Sequence, residues 1–336
     1  MLPDSSSLPS PDNSQDKTSA AFHDCFHGCP AASFAPLCSA RIDPECLSIE
    51  PSGAVRVSLS VPLTAWFDFL AGLGDVLQLA RSPVAVLAVG GPAPVLANHG
   101  NTLLPRSECG LFAPNLAEFA SLWALREIFP DGLLYLLEVR DARGRSAQRI
   151  VIPPGDARLA FQEFVCAHQS PVRLCQPWFP PNHASSAQRR ASLAGRIPWL
   201  RRRLEKGACD VRKLEWQQVE TLLARAVDES QRLRTMHYNH ALVCGAVWTP
   251  EMLALARLPG EPVPSNVARF FGEGTALELR RDCPASAWIW TGQCSCCGEE
   301  KWAVEIGGPD DKLALALNAP DESHETGWRD FLQPLL

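Results

Sequence analysis

The stretch that decides the fold is Leu277-x-Leu279-Arg280-x-Asp282-x-x-Ala285-Ser286-Ala287-Trp288, near the C-terminal end of the chain. A weaker echo stands far earlier, as Leu116-x-x-Phe119-x-Ser121-x-Trp123. The segments downstream of the two copies also run in parallel. The late copy leads to Trp302-Ala303-Val304-Glu305-Ile306, Lys312-Leu313-Ala314-Leu315-Ala316-Leu317 and a closing Trp328-Arg329-Asp330-Phe331-Leu332. The early copy leads to Leu136-Leu137-Glu138-Val139, Arg149-Ile150-Val151-Ile152 and a helical Leu159-Ala160-Phe161-Gln162-Glu163-Phe164. Self-similarity of this kind points to two like units, a common way to build a cleft.

The chain has 336 residues, enough for two units with their own cores. A hydrophobic content of 46% with 20% charged residues describes a globular protein. A net charge of −6 argues against nucleic-acid binding through bulk electrostatics. The basic run Arg201-Arg202-Arg203 suits a solvated helix face. No stretch approaches the apolar length needed to span a bilayer, so no membrane insertion is expected. Met1 to Ser7 has neither the basic region nor the apolar core of a signal peptide, which implies a cytoplasmic address. The thirteen cysteines, odd in number and irregular in spacing, then suit free thiols better than a disulfide framework.

Along the chain, residues 1–50 form a Ser-, Pro- and Asp-rich leader without hydrophobic periodicity, expected to be disordered. A first unit is expected over 51–170. It has a strand from Val55 to Val61, a helix from Pro62 to Leu73 and strands at 76–80 and 84–89. Residues 115–129 suit either a helix or a long strand. A hairpin is expected around Ala142-Arg143-Gly144, with the glycine at positive φ, and Asp156 should cap a helix ending near His168. Residues 171–215 form a Pro-rich, then basic and helical, linker. A second unit fills 216–336: a helix from Trp216 to Leu233, strands at 240–248, 252–257, 276–281, 286–291, 301–306 and 312–317, and a closing helix. The fold class is therefore α+β, a tandem repeat of two similar units. Each is a large antiparallel sheet with flanking helices, and a cleft lies between them.

At these residues the chain resembles the bacterial haemin-utilisation family, the HemS/HmuS/ChuX type of haemin-degrading or haem-trafficking proteins. The late motif L-x-L-R-x-D-x-x-A-S-x-W is met by Leu277, Leu279, Arg280, Asp282, Ala285, Ser286 and Trp288. The early run is met by Leu116, Phe119 and Trp123, and the hairpin by Asp141, Ala142, Gly144 and Ile150. Trp328 and Arg329 match the C-terminal pair. The resemblance implies tandem units with haem, as ligand or substrate, in the cleft. It implies a histidine ligand from the linker and a distal arginine from the first unit. The partners implied are haem itself and a haem importer or a downstream haem acceptor.

Imidazole is a good donor to haem iron, arginines pair with propionates, and apolar walls take the macrocycle. On that basis His183 is the candidate iron ligand, and Phe119, Arg280 and Arg149 are the candidate haem-pocket residues. The chain departs from the family where the chemistry lies. Ala117 stands at the distal-arginine position, and Gln148-Arg149 replaces a His-Lys pair. This favours carrying haem over degrading it, so an oxygenase-like activity stays open. His99, His237 and His240 are further histidines whose ordinary role is structural. Arg280 and Arg281 are adjacent on a strand and must point opposite ways. Trp123 and Trp288 are expected in the core. Two further readings stand beside haem binding: a non-enzymatic scaffold of the same fold that has lost haem, and a thiolate metal sensor. The second would use Cys294-x-Cys296-Cys297 or the leader cluster His23-x-Cys25-x-His27-x-Cys29.

Overall fold

Most of the central strands are buried on both faces, as in the Val267–Gly272 stretch, while the helices bury an apolar stripe on one side. The computed structural model describes residues 55–335, apart from 100–101, 107–110, 115–117, 130–131, 171–207, 254–266, 273, 282, 284–285, 294–299 and 310–311. The first half opens with β1 (Val55–Leu59), α1 (Leu63–Gly72), β2 (Asp75–Arg81) and β3 (Ala85–Pro92). It continues with β4 (Val95–His99), β5 (Thr102–Arg106), β6 (Leu111–Pro114) and β7 (Ser121–Phe129). It ends with β8 (Gly132–Arg140), β9 (Ser146–Val151) and α2 (Asp156–His168). The second half runs β10 (Ala208–Leu214), α3 (Trp216–Asp228), β11 (Leu233–Tyr238), β12 (Leu242–Trp248) and β13 (Pro250–Leu253). Then come β14 (Val267–Gly272), β15 (Thr275–Arg280), β16 (Ser286–Gln293), β17 (Glu300–Gly307), β18 (Leu313–Asn318) and α4 (Glu325–Leu332).

The described strands form two large antiparallel sheets and a small one of β4 and β5. The larger has nine strands in the order β1-β7-β8-β9-β2-β3-β15-β14-β13, and the second has seven, β10-β16-β17-β18-β11-β12-β6. The first seven positions of the two orders correspond one to one. The two strands expected within the stretch from Leu277 to Trp288 lie in different sheets: β15 extends the nine-stranded sheet and β16 belongs to the seven-stranded one. Its echo crosses the other way, from β6 in the seven-stranded sheet to β7 in the nine-stranded one. Each half thus lends strands to the sheet of the other, β15 pairing with β3 and β6 with β12.

Register refines the echo. Leu277 lies opposite Leu87, and Phe112 opposite Cys244 at the matching place in the other sheet, so Phe112 and not Leu116 is the counterpart of Leu277. Ser121 and Trp123 do match Ser286 and Trp288, since Trp123 faces Glu138 and Trp288 faces Glu305.

Opposed residues on paired strands share a face, and neighbours along a strand do not. One set of faces closes the main core, where Leu87, Leu137, Ile150, Leu279, Leu315 and Leu317 pack with the helices. α3 buries Val219, Leu222, Leu223 and Ala226 on one stripe and opens with a capping box between Glu215 and Gln218. α4 buries Trp328, Phe331 and Leu332, and the chain tightens into a 3-10 turn at Gln333 as Pro334 ends the helix. Among the described residues no helix is long and apolar enough to cross a membrane.

Several expectations shift. Residues 115–129 resolve as the strand β7 from Ser121 onward, paired along both edges. Gly144 has φ 78°, as its turn requires, whereas Gly155 (φ 80°) is the N-cap of α2 and Asp156 its first residue. Residues 208–214, assigned by composition to the linker, form β10. α3 stops at Asp228 because Leu233, Thr235 and His237 alternate inward as β11. Trp123 and Trp288 are half-buried on outer faces, outside the main core, because the strand period turns them away from it.

Candidate ligand-binding face

The face of the nine-stranded sheet turned away from the main core has its own apolar cluster. Leu77, Leu79, Val86, Ala88, Val151 and Ala276 form its floor, with Leu125, Leu136 and Phe271 beside them. Charged side chains sit at both ends of this strip, on strands otherwise built for burial.

At the β1/β7/β8 end, the ring of Trp123 lies between two guanidiniums, with the Cζ atoms of Arg56 and Arg140 each 5.7 Å from its centroid. Cation–π contacts of this kind strengthen where water is excluded. The Trp123 Nε1–H donates to Ser121 Oγ at 3.0 Å. Glu138, directly across from both Trp123 and Arg149, is fully buried. Its Oε1 accepts from Arg149 Nε at 2.8 Å and its Oε2 from Arg140 Nε at 2.5 Å. Burial by itself would raise its pKa, but the two arginines outweigh that and hold the carboxyl at about 2.

At the β14/β15 end the balance reverses. Glu278 lies across from Arg269, and both are buried. Arg269 Nε donates to Glu278 Oε2 at 3.0 Å. Burial dominates here and pushes the Glu278 carboxyl up to about 7, with Arg269, and more weakly Arg81 and Arg280, pulling the other way. Glu278 Oε1 and Arg269 Nη2 are buried and have no hydrogen-bond partner among the described residues.

Of the four site residues expected from sequence, Arg149 and Arg280 lie on this one face, at its opposite ends. The register of β9, β2, β3 and β15 puts their Cα atoms roughly 20 Å apart at ordinary strand spacing. Arg281 points the opposite way from Arg280 and grips Glu220 of α3 with two hydrogen bonds of 2.7 and 2.8 Å. Phe119 is not on the face: it is fully buried in the main core, edge-on to Trp66 at 6.2 Å. That is a correction to its expected place: the ring belongs to the main core, just ahead of β7. His183, Ala117, Cys294, Cys296, Cys297 and the leader cluster lie outside the described residues.

The other histidines are placed elsewhere. His99 ends β4 opposite Thr102. His237 is wholly buried between the sheets, its Nε2 3.3 Å from the Ala85 carbonyl, and burial lowers its pKa to about 4. His240 sits 3.0 Å from Asp141 in the turn that docks β11–β12 onto β8–β9. Gln148 turns to the core face and donates to Gln78 at 3.0 Å. No histidine among the described residues stands on the arginine-lined face. No group of three or more His, Cys, Asp or Glu among them is placed to hold a metal ion. Glu138, Arg140, Arg269 and Glu278 were missed from sequence. Their signal is a charged residue at the outward phase of an otherwise apolar strand, as in Leu136-Leu137-Glu138-Val139-Arg140 and Leu277-Glu278-Leu279-Arg280.

The residues present fit a flat, apolar group carrying carboxylates. The strip offers an apolar bed, and guanidiniums at each end suit carboxylates through charge-assisted hydrogen bonds.

No family model matches the chain, and no curated protein matches it. Solved structures do. Holo-PhuS, a heme-binding protein from Pseudomonas aeruginosa, matches at TM-score 0.65 and 15% identity, covering 95% of this chain and 98% of its own. ChuS, an E. coli heme oxygenase, matches at TM-score 0.61 and 14% identity, covering 84% and 89%. The heme-degrading enzyme ChuS of Escherichia coli O157:H7 matches at TM-score 0.62 and 13% identity, covering 96% and 99%. The chain has the two-sheet α+β fold of ChuS and PhuS along nearly its whole length.

Proposed function

We propose that this protein binds haem and serves haem utilisation in the cytoplasm, receiving haem from an importer and passing it to an acceptor. The observation that carries the reading is the buried outer face of the nine-stranded sheet. There an apolar strip lies between the Arg140–Arg149 cluster and the Arg269–Arg280 cluster. A macrocycle with two propionates asks for that combination, and proteins of the same fold carry the names of haem binders and a haem oxygenase. In this reading His183 supplies the axial ligand, as the family resemblance implies, while His237 and His240 are engaged with Ala85 and Asp141. Residues 51–170 and 216–336 are the two repeated units, and β10 (Ala208–Leu214), which pairs with β16, passes from the expected linker 171–215 to the second unit. Haem when bound would supply any oxygen chemistry, and the chain's own residues orient it and pair its carboxylates.

A haemin titration of the full chain tests this. A Soret shift saturating at micromolar haemin is expected, and His183→Ala should change the spectrum. No shift in the unmodified protein overturns the reading. An unchanged spectrum in the variant removes His183 as ligand. Reductant and oxygen supplied to the complex then decide between carriage and ring opening.

A further inference from the structure

Glu138 and Glu278 stand on the same buried face, yet their hydrogen bonding differs. Both oxygens of Glu138 accept from arginines. Only Oε2 of Glu278 does, while its Oε1 and the Nη2 of Arg269 are left without partners among the described residues. Arg269 and Glu278 are 4% and 2% exposed, so bulk water does not satisfy these two atoms. An orphaned donor and an orphaned acceptor held side by side in a buried place ask for a group that answers both.

We infer that the Arg269–Glu278 pair is a binding site for a carboxylate of the ligand, with Arg269 Nη2 donating to one oxygen and a protonated Glu278 Oε1 donating to the other. The identity of the ligand rests on the haem reading above. The proton comes from solvent and stays on Glu278, shared with the ligand oxygen; no covalent bond changes. The charged groups facing Glu278 from neighbouring strands are Arg269 of β14, Arg81 of β2 and Arg280 at the end of β15. All are cations, so they stabilise the incoming carboxylate while Glu278 accepts the proton. The Glu278 carboxyl, pushed up to about 7, takes that proton near neutrality. Above neutrality two carboxylates would face each other across one guanidinium, and the ligand is released.

The test uses the full chain with protoporphyrin IX, a metal-free dicarboxylate whose fluorescence reports binding and which has no iron-bound water to titrate. Its dimethyl ester is the control. Between pH 6 and pH 8.5 the affinity for the diacid is expected to fall about 30-fold, one proton's linkage through a group near 7. Glu278→Gln, whose amide donates at every pH, should hold its affinity across that range, and the ester should be indifferent to pH. The ester comparison needs no variant and decides the matter even if Glu278→Gln folds poorly. A diacid affinity flat with pH, a parallel fall in wild type and variant, or an ester that follows the diacid overturns the site and leaves an ordered water in its place. No binding of the diacid at either pH overturns this inference together with the haem reading, whereas binding without the pH signature overturns this inference alone.

Discussion

The outer faces of the two large sheets share a scaffold and differ in chemistry. Strand order and register make their positions comparable one by one. Trp123 faces Glu138 on one, and Trp288 faces Glu305 on the other. Beyond this common pair they part. Across from Glu138 stands Arg149, but across from Glu305 stands Ala316. Arg140 lies opposite Ser121, whereas Gly307 lies opposite Ser286. Glu278 lies opposite Val86, whereas Ala113 lies opposite Val243. The inward positions build both sheets alike, so the outward ones are free to set what each face can hold. One face is arginine-lined with buried carboxylates. The other has alanine and glycine at the matching places, with Met236 lying over Gly245.

The sharpest way to break the comparison is at Glu138. Its carboxylate is the shared partner of Arg140 and Arg149, with side-chain exposures of 7% and 11%. Removing one side of a buried ionic cluster leaves charge without compensation and costs about 3–5 kcal/mol. Glu138→Ala and the isosteric Glu138→Gln are both expected to lose that much in urea unfolding. A loss below about 1 kcal/mol for the glutamine variant would show that shape, not charge, holds this end of the face.

Next in size is a pH effect that sets Glu138 against Glu278. Glu138 is held at about 2 against an ordinary 4.5, so its stabilisation is present above pH 4.5 and disappears as pH falls towards 2. Glu278 is raised to about 7 from the same 4.5, so its contribution is full below pH 4.5 and is lost as pH rises towards 7. That second shift corresponds to about 3 kcal/mol. Urea unfolding at pH 5 and pH 8 should therefore show a loss in the wild-type chain that Glu278→Gln largely abolishes. Equal losses in both would place the pH dependence on other groups.

The two-sheet fold was legible because an alternating strand pattern is unforgiving: Leu277, Leu279 and Ala287 must all face inward for the sheets to close. The strands at 276–281 and 286–291 were legible too, but not that they belong to different sheets, because either sheet needs the same inward residues. Arg149 and Arg280 stood out in the sequence because guanidiniums on strands are conspicuous, and both lie on the arginine-lined face. Phe119 was misplaced because an aromatic residue suits a core as well as a pocket. Glu138 and Glu278 were passed over for another reason. The significance of a buried carboxylate depends on how many donors reach it, which only the cross-strand register supplies.

The smallest expected effect lies where the two halves touch. Asn239 Nδ2 donates to the carbonyls of Ala147 at 2.7 Å and Arg81 at 3.2 Å, and its Oδ1 accepts from the N–H groups of Ala241 and Leu242. Beside it, His240 Nε2 stands 3.0 Å from Asp141 Oδ2. Asp141 is desolvated, which raises its pKa, yet the adjacent His240 and hydrogen bonds from Arg145 hold it far below the usual carboxylate range. Asp141 does not depend on His240 alone: its Oδ1 accepts from the N–H groups of Arg143 and Arg145, and its Oδ2 from the Arg145 side chain. His240→Ala should therefore cost only about 1 kcal/mol, with the docking of the β11–β12 turn left to Asn239. A loss above about 3 kcal/mol in urea unfolding would make His240 the principal clasp between the halves. The contrast with Glu138 would then shrink from cluster against single contact to two comparable ion pairs.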